Sequence, residues 1–473
     1  MYFADCRPGD SARGWLMWDG MAAAGLQACD LVLHETLLFA AIMFLVGGVD
    51  DLLVDLAYVF CRRPAATLAD IPEACAEPLA IFVGAWDEQA VIGAMLRTAL
   101  ARLDYPDYRI FVGCYPNDPA TIAAVAAVAD PRVRLVVGKR TGPTTKADCL
   151  NTLWRALLRD DAVAGRQTRA VVLHDAEDVL HPAELRVIAH HLEANALVQL
   201  PVVPLIDPAS PMVTGHYADE FALAHAVALP VRNAIGAAMP LAGVGCAIRR
   251  DALDQLARAT GDAPFEPASL TEDYELGLRV AALGYRSRFV RVREGENGAL
   301  VAVRSYFPDT VRAAVVQKAR WMTGIALAGW DRTGWGGRWR PAELWMRMRD
   351  RRAPLAVLTL AVGYLALVAW GLSLLGHRLL GSAPPGTSDL LAALLSANAV
   401  LLAWRLLVRA RATAHEHGWR EGVRSVPRAV LGNVISLLAA RRAVVRYVGM
   451  LLGRAPRWDK TTHRFPTVLP GAA

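Results

Sequence analysis

Residues 79–88 read Leu-Ala-Ile-Phe-Val-Gly-Ala-Trp-Asp-Glu, a run of apolar and small residues that ends on two acids. A short continuous apolar run bounded by polar residues is the pattern of a strand buried on both faces. A helical stretch follows over Glu88–Leu103, then a second strand at Arg109–Cys114 and a third at Val133–Val137. A helix over Lys146–Arg159 leads to a fourth strand, Ala170–Leu173, which stops directly at His174-Asp175. Strand, helix, strand at this spacing predicts βαβ units and a parallel sheet covered on both faces, an α/β domain over residues 64–334. In such sheets ligands sit beyond the carboxyl ends of the strands. Ala85–Glu88, Tyr115–Asp118 and Asp175–Asp178 then share one rim.

The flanks are of another kind. Across 473 residues the chain is 54% hydrophobic and 20% charged, with a mean hydropathy of +0.28, which fits a partly membrane-embedded protein. In the N-terminal segment, residues 1–63, Leu31–Val49 is long enough to cross ~30 Å of hydrocarbon as a helix. Carboxylates are costly at mid-bilayer, so Asp50, Asp51 and Asp55 mark the membrane exit, Leu52–Phe60 continues as an amphipathic stretch, and Arg62 and Arg63 mark the cytosolic side. The first 30 residues hold several acids and no basic-then-apolar order, so a cleavable signal peptide is not expected. Beyond the α/β domain, the Trp- and Arg-rich residues 335–352 suit a helix in the headgroup layer. Ala353–Leu375 and Leu390–Leu407 then form two transmembrane helices within 353–408. His377, Arg378 and a Pro-Pro-Gly turn lie between them, and arginines on the outer flanks put the α/β domain in the cytosol of a bacterial inner membrane. In the C-terminal segment, 409–473, Arg428–Arg454 is interrupted by Arg441, Arg442 and Arg446 and reads as interfacial or re-entrant.

Composition excludes several classes. The net charge of +6 comes from arginines beside the apolar segments, and there is no basic stripe interleaved with aromatics, so a nucleic-acid partner is not expected. The seven cysteines are scattered, odd in number and without a CxxC pair; neither a zinc site nor a disulfide framework is indicated.

Three stretches carry chemistry. Asp175-Ala176-Glu177-Asp178 presents carboxylates at i and i+2, enough to grip one hard cation with diphosphate oxygens; an acidic cap for a helix after Pro182 is the bland alternative. In Thr271-Glu272-Asp273 an Asp can take the proton from an attacking hydroxyl, or the group caps a helix over Tyr274–Leu283. Gln317, Arg320 and Trp321 share one helix face, where Arg can pair with diphosphate and Trp can stack on a sugar; an interface-facing Trp is the alternative. Lys146 and Asp148 open a helix that approaches a nucleotide or only the solvent. Gly243-Val244-Gly245 lets backbone come close to a ligand or merely turns. Tyr115-Pro116-Asn117-Asp118 reads a uracil edge or is a plain turn.

In their order along the chain, Ala85–Glu88, Asp118, Lys146–Asn151, Asp175-Ala-Glu177, Thr271-Glu272-Asp273 and Gln317-x-x-Arg320-Trp321 resemble the successive signatures of the family 2 (GT-A) glycosyltransferases. Asp50-Asp51, Tyr115-Pro-Asn-Asp118-Pro, His174–Asp178 with Pro182, Gly243-Val-Gly245 and the tail Trp458-Asp-Lys-Thr-x-His463-x-Phe465-Pro466 resemble the NfrB group, the phage adsorption protein B type. The resemblance implies a GT-A, Rossmann-like domain and a UDP-sugar donor. Asp87, Glu88 and Asp118 would hold the uridine end, with Lys146 and Asp148 beside the nucleotide. Asp175 and Glu177 would bind Mg2+ or Mn2+, Asp273 would be the inverting base, and Glu272, Gln317, Arg320, Trp321, Gly243 and Gly245 would form the acceptor and diphosphate side. Glu177 departs from the family's usual second Asp, but a longer carboxylate still chelates. Proteins of the NfrB type often continue into a domain linked to cyclic di-GMP control; this chain stops at Ala473, so direct sensing of that messenger is not expected. The function implied is addition of a sugar, an N-acetylhexosamine, to a growing exopolysaccharide. Two alternatives stay open: a membrane scaffold for phage adsorption with an outer-membrane partner, and single-sugar transfer to a lipid carrier.

Overall fold

A computed structural model describes the backbone of residues 9–61, 66–73, 77–261, 263–296, 298–336, 340–454 and 463–467, with side chains from residue 20 onward. The chain divides into two compact units, Met1–Leu53 with Leu355–Arg405, and Val54–Pro354 with Leu406–Ala473.

The first unit is helical. It draws on α1 (Gly9–Cys61), α13 (Ala353–Leu379) and α14 (Asp389–His417). Gly20–Cys61, α13 and α14 are each long and apolar enough to cross a membrane. Phe39, Val46, Leu365 and Val400 stand exposed, as lipid-facing positions do. Within the unit, polar contacts tie helix to helix. Ser373 Oγ donates to Asp30 Oδ1 at 2.6 Å, the His377 ring lies 3.1 Å from Asp30 Oδ2, and Asn398 Nδ2 donates to the Ala41 carbonyl at 2.8 Å. The N-terminal element differs from expectation. Asp50 and Asp51 lie inside one continuous helix that runs on to Cys61 rather than at a helix end, and Asp51 has Arg405 3.6 Å away to offset its desolvation. His377 and Arg378 belong to the last turn of α13 rather than to a loop. Arg62 and Arg63 fall outside the described residues.

The second unit is α/β. Its strands are β1 (Ala66–Thr67), β2 (Leu79–Gly84), β3 (Tyr108–Cys114), β4 (Val133–Val137), β5 (Ala170–His174), β6 (Leu197–Gln199), β7 (Val202–Leu205), β8 (Cys246–Arg249), β9 (Ser287–Phe289), β10 (Val292–Arg293) and β11 (Val303–Tyr306). Seven of them form one sheet in the order β4-β3-β2-β5-β8-β6-β9. The first four are parallel as expected; β8 runs antiparallel to both β5 and β6. Side chains alternate between the two faces. Ile81, Val83, Ile110 and Val112 pack with α2 (Ile92–Arg102), α3 (Pro119–Ala126) and α5 (Glu184–Leu192). Ala80, Phe82 and Phe111 pack with α4 (Lys146–Ala164), α8 (Arg250–Thr260) and α9 (Glu272–Ala282). The remaining helices are α6 (Val213–Leu223), α7 (Leu229–Ala234), α10 (Val311–Met322), α11 (Ala328–Thr333), α12 (Pro341–Arg351) and α15 (Trp419–Leu451).

Several boundaries moved for local reasons. The helix expected from Glu88 begins at Ile92, because the Glu88 N–H donates to Thr121 Oγ1 at 2.9 Å and holds the preceding residues in a turn. α4 runs past Arg159 to Ala164, where Gly165 at φ 60° stops it in the left-handed region. α12 starts only at Pro341, whose fixed φ suits a first helical position; Arg338 and Trp339 lie outside the described residues. Of Arg428–Arg454, read as interrupted, Arg428–Leu451 belongs to one helix that starts at Trp419 and runs through Pro427.

Gly277 lets α9 lie against residues 239–241. A Cβ there would collide with the Met239 carbonyl oxygen and stand 3.1 Å from Pro240 Cα, backbone that cannot swing aside. Gly277→Ala is expected to cost about 1–3 kcal/mol of stability, read as a lowered melting midpoint.

His225 gives the fold a pH dependence. It lies buried in a π turn, Ala224–Ala228, and its Nδ1 accepts the Val202 N–H at 3.0 Å, which fixes the neutral ring. Burial, reinforced by Arg291, pushes its pKa down to about 3. The unfolded ring gains its proton near 6.5, so between these values the unfolded state binds more protons. The contribution is whole above 6.5 and is lost as pH falls towards 3. His225→Asn, which keeps an acceptor near that amide, is expected to flatten the fall in melting midpoint between pH 6.5 and about 4.

Candidate active site

The turn after β5 is held from behind. His174 is fully buried, with Nδ1 3.0 Å from Asp178 Oδ2 and Nε2 2.7 Å from Glu184 Oε1. Burial alone would lower its pKa, but the two carboxylates outweigh it and raise the ring to about 10. Asp178 Oδ2 also accepts the Asp175 N–H at 2.9 Å. The turn is thereby fixed, and Asp175 and Glu177 line a cleft that opens to solvent. The capping alternative fails, since α5 starts without a side-chain cap.

Four distant stretches meet in that cleft. Lys146, at the start of α4, pairs with Asp175 and lies 3.5 Å from the Gly243 carbonyl. Glu177 is buried, and among the described residues its Oε2 accepts no hydrogen bond. The ring of His463 stands 3.3 Å from that oxygen and 2.8 Å from Glu88 Oε1. One ligand atom each from Glu88, Glu177 and His463 fall within 4.8 Å of one another. Glu88, expected at the uridine end, therefore faces the metal-motif carboxylate. His463 had no role in the sequence reading; the only signal was its place in the tail pattern, whose Trp458–Thr462 part lies outside the described residues.

Thr271 also lines the cleft and stands where an N-cap would, but its hydroxyl makes no cap, and its Oγ1 is buried without a hydrogen-bond partner among the described residues. Asp273 Oδ1 accepts the Tyr274 N–H at 2.7 Å. Its other oxygen lies against Gly243, where φ is +80° and a Cβ would strike it. Gly245 similarly makes room for the Val303 side chain. These two glycines thus admit the protein's own side chains, while Ala242 and Val244 line the cleft. Glu272, Gln317, Arg320 and Trp321 line it too. Trp321 packs against Tyr217, Phe221 and Phe307, with ring centroids 6.0–6.4 Å apart.

Asp87, Asp118 and Asp148 are not among the residues that line the cleft, although Trp86 and Glu88 on either side of Asp87 are. Asp87, at φ 54°, donates its N–H to Asp118 Oδ2 at 2.6 Å. Asp118 Oδ1 accepts the Thr121 N–H at 3.2 Å as the cap of α3. Asp148 pairs with Arg140 at 3.0 Å. Trp86 and Tyr115 meet edge to face at 5.2 Å, and Asn117 exchanges two hydrogen bonds with Gly142.

The acids crowd the cleft enough to perturb one another. Burial, then the neighbouring carboxylates, pushes Glu177 up to about 8 despite His463. Burial and Asp273 push Glu272 up to about 7, and burial raises Asp273. Burial works against ionisation of Asp175 as well, but Lys146 and His463 hold it below its ordinary value. His463 is raised to about 9: burial opposes the charge, and Glu177 and Glu88 outweigh it. Buried carboxylates converging with an imidazole, their ligand atoms within 4.8 Å of one another, fit a divalent cation.

Residues 76–324 match the glycosyltransferase like family 2 profile, more than half of the chain, and the chain belongs to that family. It is 35% identical over 462 residues to bacteriophage adsorption protein B of Escherichia coli (strain K12) and to bacteriophage N4 adsorption protein B of Escherichia coli O157:H7. Those alignments take in 91% of this chain and 62% of each relative, so the chain spans less than two thirds of their length. Among solved structures, a mannosyltransferase from Pyrobaculum calidifontis in complex with GDP-Man and Mn2+ superposes with a TM-score of 0.50 at 17% identity, covering 89% of this chain and 99% of that one. The shared fold is of the GT-A type.

Proposed function

We propose that the protein is an inverting, metal-dependent glycosyltransferase of the bacterial inner membrane that moves a sugar, an N-acetylhexosamine, from a UDP donor to a growing exopolysaccharide. One observation carries this reading: acids from separate stretches, Asp175, Glu177 and Asp273, converge on one cleft with Lys146 and Arg320. Glu177 and His463, with Asp175 and Glu88 beside them, would hold Mg2+ or Mn2+. When bound, the cation supplies Lewis-acid neutralisation of the diphosphate charge. Lys146 and Arg320 pair with phosphate oxygens. Asp87, Asp118 and Trp86 receive the nucleoside. Trp321 offers its face to a sugar ring of the acceptor. Asp273 takes the proton of the acceptor hydroxyl, and burial, which raises its affinity for a proton, suits that task.

The phage-adsorption name of the relatives favours a second reading, a membrane scaffold with an envelope partner. A scaffold has no use for a buried Glu177 carboxylate whose Oε2 accepts no hydrogen bond among the described residues and has only the His463 ring, 3.3 Å away, to offset it. Membranes holding the protein, incubated with a panel of UDP-sugars, are expected to incorporate one of them into a product long enough to size as a polymer. A single added sugar would point to a lipid carrier as acceptor. No incorporation from any donor would leave the scaffold.

A further inference from the structure

Helix α15 has two faces of different character. Its inner face is apolar and closely packed: Ile435 packs with Ala314, and Ala439 and Ala443 pack with Ala319, all buried. Ala314 and Ala319 belong to α10, the helix that presents Gln317, Arg320 and Trp321 to the cleft. The seat is fixed by a buried ion pair, because Arg428, fully buried, lies 3.3 Å from Asp219 of α6 and bonds Glu421. At the other end Tyr447 donates to Asp331 at 2.7 Å.

The outer face is apolar and cationic. Val423, Val430, Val434, Leu438, Val445 and Val448 are each more than 40% exposed. Recurring mostly at i+3 and i+4, they form one stripe along a helix about 50 Å long. Arg420, Arg424, Arg441 and Arg442 are exposed alongside. The only acid of α15, Glu421, is turned inward to Arg428. A face of valines, leucines and arginines without an exposed acid is unfavourable in water and complementary to an anionic lipid surface. The chain also delivers it there, since α14, apolar enough to span, is separated from α15 by Gly418 alone. α15 is not itself among the helices apolar enough to cross. Pairing with a second copy would bring arginines against arginines.

We propose that α15 lies in the headgroup layer of an anionic bilayer and, through its inner face, sets the position of α10, so that sugar transfer but not nucleotide binding depends on anionic lipid. The lipid contact stands by itself; the effect on transfer rests on the function proposed above.

The full chain, with its other reactive thiols replaced by serine and a spin label attached after Val430→Cys, is reconstituted in nanodiscs of phosphatidylcholine with or without phosphatidylglycerol. In the anionic discs the label is expected to collide with oxygen more than with a water-soluble nickel chelate. The double change Arg441→Gln and Arg442→Gln is expected to return it towards water. Turnover is expected to be about tenfold higher in anionic than in neutral discs, with UDP affinity equal in both and the difference lost in the double variant. A label that stays in water in both lipids overturns the proposal, as does a label shielded only in a dimer seen by light scattering. A lipid-buried label in an enzyme that transfers no sugar keeps the lipid contact and defeats the transferase reading instead.

Discussion

Asp273→Asn is expected to lower turnover by about a thousandfold or more while UDP and metal affinity change little. The asymmetry follows from where the side chain stands. Asp273 lines the cleft with Glu272, outside the cluster of Glu88, Glu177 and His463, and its ionised form is disfavoured by burial. An amide of the same shape keeps the bond from the Tyr274 N–H and the fit against Gly243. What it cannot do is accept a proton. Calorimetry with UDP and Mn2+ beside a steady-state assay separates the two effects; retained turnover would remove Asp273 from the role of base.

His463→Ala and Glu177→Gln are each expected to weaken metal-dependent UDP binding about 100-fold or more, with the fold intact by circular dichroism. Glu177 Oε2 is buried without a hydrogen bond among the described residues, and the imidazole 3.3 Å away is the group nearest to satisfying it. Removing either member breaks the cluster from one side. Asp118→Asn is a useful contrast, because Asp118 accepts the Asp87 and Thr121 amides and is proposed to sit at the nucleoside end. Its effect is expected on UDP affinity with or without metal. Titrations with Mn2+ at fixed UDP distinguish these patterns.

The sheet was legible where the strands are long and buried on both faces. Leu79–Gly84 and Arg109–Cys114 read as continuous apolar runs because helices cover both sides of them. The four-residue β8 gave no such signal, and its antiparallel sense is set by what it pairs with, β5 and β6, not by its own residues. The start of α2 was misplaced because Thr121, 33 residues away, takes the Glu88 N–H. In the site, Asp175, Glu177 and Asp273 were legible because acids at strand and helix ends have few other uses. His463 was not. It lies 375 residues from Glu88, and only the folded chain brings the two within 2.8 Å. Gly243 was visible as a flexible position, but its reason, room for the Asp273 carboxylate, is a tertiary fact.

Anomalous diffraction at the manganese edge, from crystals grown with UDP and Mn2+, locates the cation. One strong peak is expected within coordination distance of Glu177 and His463, beside Asp175. A structure with UDP bound and no peak there, or a peak held by other residues, would contradict the proposed metal site.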